Sequence, residues 1–552
     1  MSTPFAAPSP AAYAYPLLIK QLLHTAADTA STQEIVYRDT HRYTYAAFIE
    51  RLGRLANALR RLGVGEGSTV AMMDWDSHRY LETFFGVPMM GAVLQTVNVR
   101  LAPEQILYTL NHAGAEVVLV HADFAPVLAG IAGQLTSVRR IVLIGDGEPA
   151  PSCALPFDGE YEDLLANAPA AYDFPDFDEN TRATTFYTTG TTGLPKGVFF
   201  SHRQLVLHTL AVAAAFGTAA RQGSLRRGDV YMPITPMFHV HAWGFPYIAT
   251  MLGLKQVYPG RYAADTLLHS IAKEGVTFTH GVPTILHMLL SAEASQGVDL
   301  SRCKMVIGGS ALPKGLALAA MARGMDVFTG YGMSETGPIL TVAHLRPDFD
   351  GDEQDEAAER VRTGAPIPLV DLRVVDDEMR PLPHDGASIG EVAVRAPWLT
   401  QGYLGNPSAS DALWAGGYMH TGDLGSIGPS GTLQVSDRLK DVIKTGGEWV
   451  SSLDLESILS EHPAVAEAAV VGVRDARWGE RPLALVVLKP GAQASVEDLR
   501  AQVRAHAEQG RISKYAIPDE VRLVAAIPRT SVGKINKKGI REAIARPDGG
   551  TN

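Results

Sequence analysis

Short apolar runs alternate with longer segments of helical periodicity along most of the chain. Val117–Val120, Ile141–Ile144 and Lys304–Ile307 are examples of such runs. Runs of this length suit buried strands, and the periodic segments between them indicate helices. The alternation predicts α/β layers with largely parallel strands.

The pattern changes after about Val361. Asp371–Val375 (DLRVV) and Gly390–Arg395 (GEVAVR) alternate apolar and polar positions and are separated by turn residues. Alternation with a period of two is typical of half-buried strands, so this region predicts a small antiparallel β unit.

A further boundary is expected near Asp437. The residues beyond it have predicted strands at Val465–Val473 and Leu483–Leu488 and predicted helices at Val496–Glu508 and Lys537–Ala545. About a hundred residues suffice for a small α+β domain. We therefore divide the chain into residues 1–436, 437–442 and 443–552.

Composition narrows the class of protein. Hydrophobic residues make up 46% and charged residues 19%, which is typical of a folded domain, and the net charge of −11 disfavours nucleic acid as a partner.

Two distant cysteines, Cys153 and Cys303, exclude a disulfide framework and favour the cytoplasm. The N-terminus does not resemble a signal peptide. Prolines and histidines interrupt the uncharged stretch Val230–Leu254, so we expect no integral membrane segment. The acidic run Pro347–Arg360 is expected to be a solvated surface loop.

A glycine- and threonine-rich stretch, Tyr187–Gly197 (YTTGTTGLPKG), has the amides, hydroxyls and lysine of a phosphate-binding loop. It does not match the P-loop pattern G-x-x-x-x-G-K-[ST], because Pro195 stands where the second glycine belongs when the count starts at Gly190. Its setting is interpreted as strand, glycine-rich turn and helix, which suits phosphate binding. A flexible surface turn is the alternative.

Four further stretches carry candidate chemistry. In the stretch Gly330–Thr336, Tyr331 suits stacking on a base and Glu335 offers an oxygen ligand for Mg²⁺. In the stretch His420–Asp423, the carboxylate of Asp423 offers two acceptor oxygens for a ribose diol. The four stretches are Gly330–Thr336 (GYGMSET), His420–Asp423 (HTGD), Asp437–Glu448 (DRLKDVIKTGGE) and Pro528–Ile535 (PRTSVGKI). Their structural alternatives are, in the same order, a helix cap, a turn aspartate, a solvated linker and a solvated helix face.

In this order and spacing, the five motifs resemble those of the adenylate-forming superfamily of acyl-CoA synthetases, adenylation domains and beetle luciferases. The resemblance spans roughly residues 30–540. It implies an α/β fold with a large N-terminal domain of two α/β lobes plus a small β unit, followed by a small mobile α+β C-terminal lid. It also implies that ATP activates a carboxylic acid to an acyl-adenylate, whose acyl group passes to coenzyme A. Mg²⁺ and a homodimer are further implied.

The resemblance assigns nucleotide contacts to residues of all five motifs. Glu335, with Thr188 or Thr189, would hold Mg²⁺. Asp423 and Arg438 would hold the ribose, and Tyr331 would lie against adenine. The complete implied ATP set is Thr188, Thr189, Gly190, Thr191, Thr192, Gly193, Lys196, Gly309, Ser310, Ala311, Gly330, Tyr331, Thr336, Asp423, Arg438, Lys444 and Trp449.

The resemblance also implies a moving lid. Lys534 would bridge the substrate carboxylate and the ribose during adenylation. Rotation about Lys440 would then withdraw Lys534 and present Gly446, Gly447 and Glu448 to the pantetheine arm of coenzyme A.

The implied acyl pocket lies in and around the aromatic and histidine-rich stretch Pro236–Pro246. His239 would lie beside the carboxylate, and Trp243 resembles a gate that admits an alkyl chain, with an ordinary core tryptophan as the alternative. No aspartate in Met232–Trp243 offers a partner for an ammonium group, which disfavours amino acids. The implied pocket residues are Val240, Trp243, Gly244, Gly308, Gly332 and Met333.

We therefore expect an ATP- and Mg²⁺-dependent acyl-CoA synthetase for a fatty acid of medium to long chain. A short thioether acid, such as methylmercaptopropionate, or an aryl acid is the alternative substrate. A catalytically silent nucleotide-binding protein of the same fold would have lost a working residue, whereas Glu335, Asp423, Arg438 and Lys534 are all present.

Overall fold

The computed structural model describes residues 9–147, 152–188, 194–446, 448–530 and 533–545. Two large sheets use the first fifteen strands of the chain. These strands are β1 Glu34–Tyr37, β2 His41–Thr44, β3 Thr69–Met73, β4 Val93–Thr96, β5 Ala115–His121, β6 Arg140–Ile144, β7 Arg182–Thr188, β8 Lys196–Ser201, β9 Val230–Pro233, β10 Lys255–Tyr258, β11 Phe278–Gly281, β12 Lys304–Ile307, β13 Asp326–Gly332, β14 Ile339–Val342 and β15 Ala365–Pro366.

Both sheets are parallel in their centres and antiparallel at an edge. One sheet has six strands in the order β6-β5-β3-β4-β7-β8, in which only β8 runs antiparallel to its neighbour. The other has nine strands in the order β15-β14-β13-β12-β11-β9-β10-β1-β2, with parallel pairing from β1 through β13. The predicted α/β lobes with largely parallel strands are confirmed.

Helices pack against the sheets of the chain, and α3 is buried along its whole length. In α2, Thr44 caps the first turn, and Phe48, Leu52, Leu55 and Leu59 form a buried stripe at helical spacing. The helices are α1 His24–Asp28, α2 Tyr45–Arg61, α3 His78–Met89, α4 Pro103–Ala113, α5 Ala125–Ile131, α6 Tyr161–Ala166, α7 His202–Gly217, α8 Val240–Trp243, α9 Phe245–Leu252, α10 Ala264–Glu274, α11 Pro283–Ser291, α12 Lys314–Met321, α13 Glu353–Arg360, α14 Pro407–Leu413, α15 Ser452–Ser460, α16 Val496–Glu508 and α17 Lys537–Ala545.

An antiparallel sheet of four strands follows the large sheets. It comprises β16 Asp371–Val375, β17 Gly390–Arg395, β18 Met419–Ile427 and β19 Leu433–Arg438, paired in chain order. The predicted β unit is thus confirmed, and its first two strands have the predicted bounds.

The C-terminal part has its own five-stranded sheet and its own apolar clusters. Its strands are β20 Ile443–Thr445, β21 Glu448–Val450, β22 Val465–Asp475, β23 Gly479–Leu488 and β24 Glu520–Leu523. Helices α15 and α16 pack against each other, and the buried side chains of this region form two clusters separate from that of the large sheets. The predicted small α+β C-terminal domain is confirmed, while the exact division at residues 437–442 stays a prediction.

Two local expectations were wrong. The acidic run forms helix α13, because Asp352 caps its first turn and the acidic side chains that follow lie at the positive end of the helix dipole. The segment directly after the phosphate loop is strand β8, since Val198, Phe199 and Phe200 favour β structure, and the expected helix follows only from His202 as α7. The phosphate loop therefore joins two antiparallel strands. Lys537, in the first turn of α17, is buried and pairs with Glu456 at 2.8 Å.

The uncharged stretch Val230–Leu254 folds into β9, α8 and α9. Among the described residues, no helix combines the length and the apolar character that crossing a bilayer requires.

Candidate active site

A small cavity lies at the carboxyl ends of β12 and β13, where ligands of open α/β sheets commonly bind. Its volume is about 30 Å³. The lining side chains come from the α8 turn, the ends of these strands and the C-terminal domain. They are His239, Val240, Trp243, Val306, Gly308, Gly309, Gly330, Tyr331, Gly332, Met333, Ser334, Pro338, Ile339 and Lys534. The structure thus brings together ten residues that the sequence nominated, from motifs far apart in the chain.

Two adjacent glycines shape the cavity. A Cβ on Gly308 would lie 3.0 Å from the ring of Trp243, so the indole packs directly against this position. Gly309 has a φ of +80°, and a Cβ there would lie 3.3 Å from the Cε of Lys534. Absence of side chains at these positions lets an indole and a lysine enter the same small space.

The turn α8 has an unusual backbone. Its four residues, Val240–Trp243, all have positive φ, between 48° and 59°, so the turn is left-handed. Such a conformation costs roughly 1–2 kcal/mol per residue without glycine. At its centre His241 is buried against the rings of Phe84 and Phe186, and both its ring nitrogens lack a hydrogen-bond partner. The backbone strain at this turn therefore coincides with the wall of the cavity.

The cavity contains one cationic group. Burial, followed by the nearby Arg438, lowers the pKa of Lys534 to about 8. The N–H of Thr530 donates to the C=O of Lys534, and the N–H of Lys534 donates to the Thr530 hydroxyl, which fixes the backbone position of Lys534. Burial also lowers the pKa of His239 to about 3, with Lys534 as the next cause, so this imidazole is neutral near pH 7. A neutral histidine and a protonated lysine therefore face the same space.

Asp423 links two strands of the β unit to the cavity. It lies within β18, directly opposite Arg438 in β19, and the Arg438 Nε is 3.2 Å from its Oδ1. The Tyr331 hydroxyl donates to its Oδ2 at 2.8 Å. Asp423 raises the pKa of Arg438, which stays charged. HTGD is therefore part of a strand, and it brings a carboxylate, a guanidinium and a ring that lines the cavity into one cluster.

Glu335 lies in a short 3₁₀ turn after β13 and is buried. Its Oε1 accepts a hydrogen bond of 2.8 Å from the Tyr403 hydroxyl. The Lys196 ammonium lies 4.6 Å from the centre of the Tyr403 ring, and Lys196 pairs with Thr188 across β7 and β8. The ends of the phosphate loop thus approach Glu335 through Tyr403. Thr189, Gly190, Thr191, Thr192 and Gly193 lie outside the described residues.

Other nominated residues lie elsewhere. The Thr336 hydroxyl is buried and bonds within its own turn, to the N–H and C=O of Met333 and the C=O of Pro338. Gly244 does not line the cavity, since a Cβ there would meet the ring of His208 at 2.9 Å. Ser310 and Ala311 are exposed beyond the end of β12.

The hairpin of β20 and β21 lies on the C-terminal domain and does not line the cavity. Lys444 and Trp449 are cross-strand partners, with the ammonium 5.6 Å from the ring centre, and Trp449 is half exposed. Gly446 packs against the ring of Trp478 and Glu448 is exposed. Gly447 lies outside the described residues.

The connection between the two parts of the chain is anchored on both sides of Lys440. Before it, the buried Asp437 accepts hydrogen bonds from the N–H and hydroxyl of Ser452 at 2.6 and 2.5 Å. After it, Asp441 pairs with Arg541 at 2.7 Å. Lys440 itself is exposed, and burial of its ammonium by neighbouring groups lowers its pKa.

Sequence reasoning missed several residues of the site. Ser334, Pro338 and Ile339 belong to or follow the GYGMSET stretch, so proximity in sequence was an available signal. Val306 reads as an ordinary strand residue, and Tyr403 lies in a stretch without a charge pattern. Neither of these two carries a local signal of a site.

Comparisons with known proteins agree with this geometry. Residues 22–404 match the family model of the AMP-binding enzyme, and residues 454–534 match that of the AMP-binding enzyme C-terminal domain. A long-chain-fatty-acid–CoA ligase of Thermus thermophilus is 42% identical, with 96% of each chain covered. A 3-methylmercaptopropionyl-CoA ligase of Ruegeria pomeroyi is 38% identical, over 96% of this chain and 97% of the relative.

A solved structure extends the likeness to three dimensions. The crystal structure of an anthranilate CoA ligase in complex with anthranoyl-AMP has a TM-score of 0.84 and 26% sequence identity, over 96% of this chain and 98% of that chain.

Proposed function

The chain belongs to the AMP-binding enzyme family, and from this premise we propose that it is an AMP-forming ligase joining a medium- to long-chain fatty acid to coenzyme A. The reaction would use ATP to form an acyl-adenylate with release of pyrophosphate. The thiol of coenzyme A would then displace AMP.

One observation carries this proposal: the cavity pairs a single cation with an otherwise uncharged lining. Lys534 is the only charged side chain among its fourteen lining residues, and Trp243, Val306 and Ile339 supply apolar walls. A buried ammonium requires an anionic partner. A carboxylate with an apolar tail supplies both complements.

Adenylation joins an anionic carboxylate to an anionic phosphate, so neutralising and orienting charge is the main task of the protein. Lys534 would lie beside the carboxylate, and the neutral His239 would orient it without adding charge. Asp423, fixed by Tyr331 and Arg438, would accept the ribose hydroxyls. Lys196 and the phosphate loop that precedes it would hold the pyrophosphate as it leaves.

Mg²⁺ fits the donor set of the phosphate side. Glu335 offers a buried carboxylate and Thr188 a hydroxyl, which are hard oxygen donors, and Mg²⁺ commonly uses one or two carboxylates with substrate phosphates. When bound it would neutralise phosphate charge. Glu335 and Thr188 would hold it, with Thr189 as a further candidate.

Thioester formation would require a different arrangement of the C-terminal domain, because Lys534 lines the cavity in which the acyl group would react. We propose a rotation at Lys440, which is exposed and lies between two anchored segments. The hairpin with Gly446 and Glu448 would then face the pantetheine arm, and Lys444 and Trp449 would approach the nucleotide.

A short thioether acid, such as methylmercaptopropionate, is the second candidate substrate. Trp243 packs against Gly308 in the wall of the cavity, so a long alkyl chain would need Trp243 to move, whereas a short acid would need less additional space. The 3-methylmercaptopropionyl-CoA ligase among the relatives gives this reading further support.

Pyrophosphate release tests the proposal and separates the two candidates. The panel comprises straight-chain acids from acetate to palmitate, methylmercaptopropionate and benzoate, each with and without coenzyme A. We expect the highest kcat/KM with a medium or long chain and thioester only with coenzyme A. Failure of every carboxylate to release pyrophosphate would refute the enzyme reading, and release without thioester would refute the transfer step.

We further propose a cytoplasmic homodimer. Light scattering after gel filtration measures the mass directly, and a monomer at working concentrations would refute the dimer.

A further inference from the structure

Tyr403 lies between two elements of the site that are far apart in sequence. The N–H of Thr400 donates to the C=O of Glu335 at 3.0 Å, and the N–H of Leu404 donates to the C=O of Gly197 at 2.8 Å. The intervening backbone therefore joins the 3₁₀ turn of Glu335 to strand β8, just after the phosphate loop. Tyr403 has a fixed position relative to both.

Its side chain contacts two opposite charges at once. The hydroxyl donates to the Glu335 Oε1 at 2.8 Å, and the ring lies 4.6 Å from the Lys196 ammonium. The ring attracts Lys196 through a cation–π interaction.

Glu335 and Lys196 do not pair directly. Among the ion pairs of the described residues, which have N···O distances of up to 4.0 Å, none joins these two side chains. Lys196 instead contacts the ring of Tyr403, and the hydroxyl of the same side chain donates to one oxygen of Glu335.

We propose that Tyr403 is a positioning residue for the metal–phosphate half of the nucleotide. Its hydroxyl orients Glu335 by binding one carboxylate oxygen, which presents the other to Mg²⁺. Its ring holds Lys196 beside the phosphate loop until ATP arrives. Without the ring, Lys196 and Glu335 attract each other, and their ion pair removes both groups from ligand binding. The assignment rests on the proposed function, since it concerns the same nucleotide site.

Calorimetric titration of the full-length protein separates the two contacts. Tyr403→Phe keeps the ring and loses the hydroxyl, so we expect Mg·ATP to bind roughly three- to tenfold more weakly, within the range for the net contribution of one typical hydrogen bond. Its affinity for ATP in EDTA should not change. Tyr403→Leu also loses the ring and should weaken binding under both conditions.

A double-variant cycle tests whether Tyr403 acts through Glu335. Glu335→Gln weakens Mg·ATP binding by itself, and adding Tyr403→Phe to it should cause no further loss. Equal Mg·ATP affinity of Tyr403→Phe and the wild type would overturn the proposal. So would equal weakening with and without Mg²⁺, or further weakening in the double variant.

Tyr418 provides a matched control, because it makes the same two kinds of contact in the β unit. Its hydroxyl donates to the Asp371 Oδ2 at 2.6 Å, and its ring lies 3.9 Å from the Arg395 guanidinium. Tyr418→Phe should leave both affinities unchanged, and thermal unfolding checks that all variants are folded. A wild type that binds Mg·ATP but releases no pyrophosphate with any acid would refute the proposed function and leave the Tyr403 result readable. A wild type that binds no Mg·ATP would overturn both.

Discussion

Replacing Lys534 by methionine separates the charge of this residue from its shape. The fall of its pKa from 10.5 to about 8 means that the fold disfavours the protonated form by about 3 kcal/mol relative to the unfolded chain. Below about pH 8 the lysine is charged in both states, so this penalty is fully present. It fades between about pH 8 and 10.5 as the folded state becomes neutral first. Methionine carries no charge at any pH.

We therefore expect Lys534→Met to stabilise the ligand-free protein by up to about 3 kcal/mol near pH 7, with a gain that approaches zero near pH 10.5. Urea unfolding at several pH values measures the difference, and Lys514→Met, at an exposed lysine, is the control. A gain that is absent near pH 7, or that does not depend on pH, would refute the reasoning.

The same variant should lose adenylation by roughly a hundredfold or more, because the cation beside the reacting carboxylate is gone. Thioester formation from preformed acyl-adenylate should be retained. Equal loss of both half-reactions would contradict a separate role of Lys534 in the first.

Three further predictions concern the same site. The kcat/KM for adenylation should decline as pH rises above about 8, where Lys534 loses its proton. Lys534→Arg should abolish this decline while lowering the maximal rate. A decline that persists in the variant would assign the titration to another group. Trp243→Ala should shift the acyl-chain preference measured by kcat/KM toward longer acids, because the indole packs against Gly308, and an unchanged profile would make Trp243 an ordinary core residue. Asp423→Asn should raise the KM for ATP by about tenfold, as expected for weaker hydrogen bonds to a charged group, and leave the KM for the acid unchanged; equal changes in both KM values would indicate a general disturbance of the fold.

Several helices and strands could be predicted, because the spacing of apolar residues along them reflects which face of the element is buried. The strands at Asp371–Val375 and Gly390–Arg395 have the predicted bounds, since alternation of side chains between a buried and an exposed face is visible in the residues themselves. Helices α16 and α17 likewise begin and end where the periodicity does.

Other features depend on contacts that a sequence pattern does not contain. The left-handed turn Val240–Trp243 has no glycine to announce it, and it is held by the packing around His241. The acidic composition of Pro347–Arg360 is typical of a loop, so helix α13 was not predicted. The cap that Asp352 provides stabilises the helix despite this composition. Tyr403 acquires its importance only when the fold brings Glu335 and Lys196 to its two ends.

The hydrogen bonds of Asp437 bear on the speed of the enzyme rather than on its affinity for substrates. Asp437 precedes Lys440 and Ser452 follows it, so the rotation proposed at Lys440 must pull the two apart. Burial raises the pKa of Asp437 in the docked arrangement, so the undocked carboxyl regains hydration as it leaves Ser452. The two effects oppose each other, and their difference sets part of the barrier between one half-reaction and the next. The hydrogen bonds of a single carboxylate at the hinge would therefore contribute to the rate at which the enzyme passes from adenylation to thioester formation.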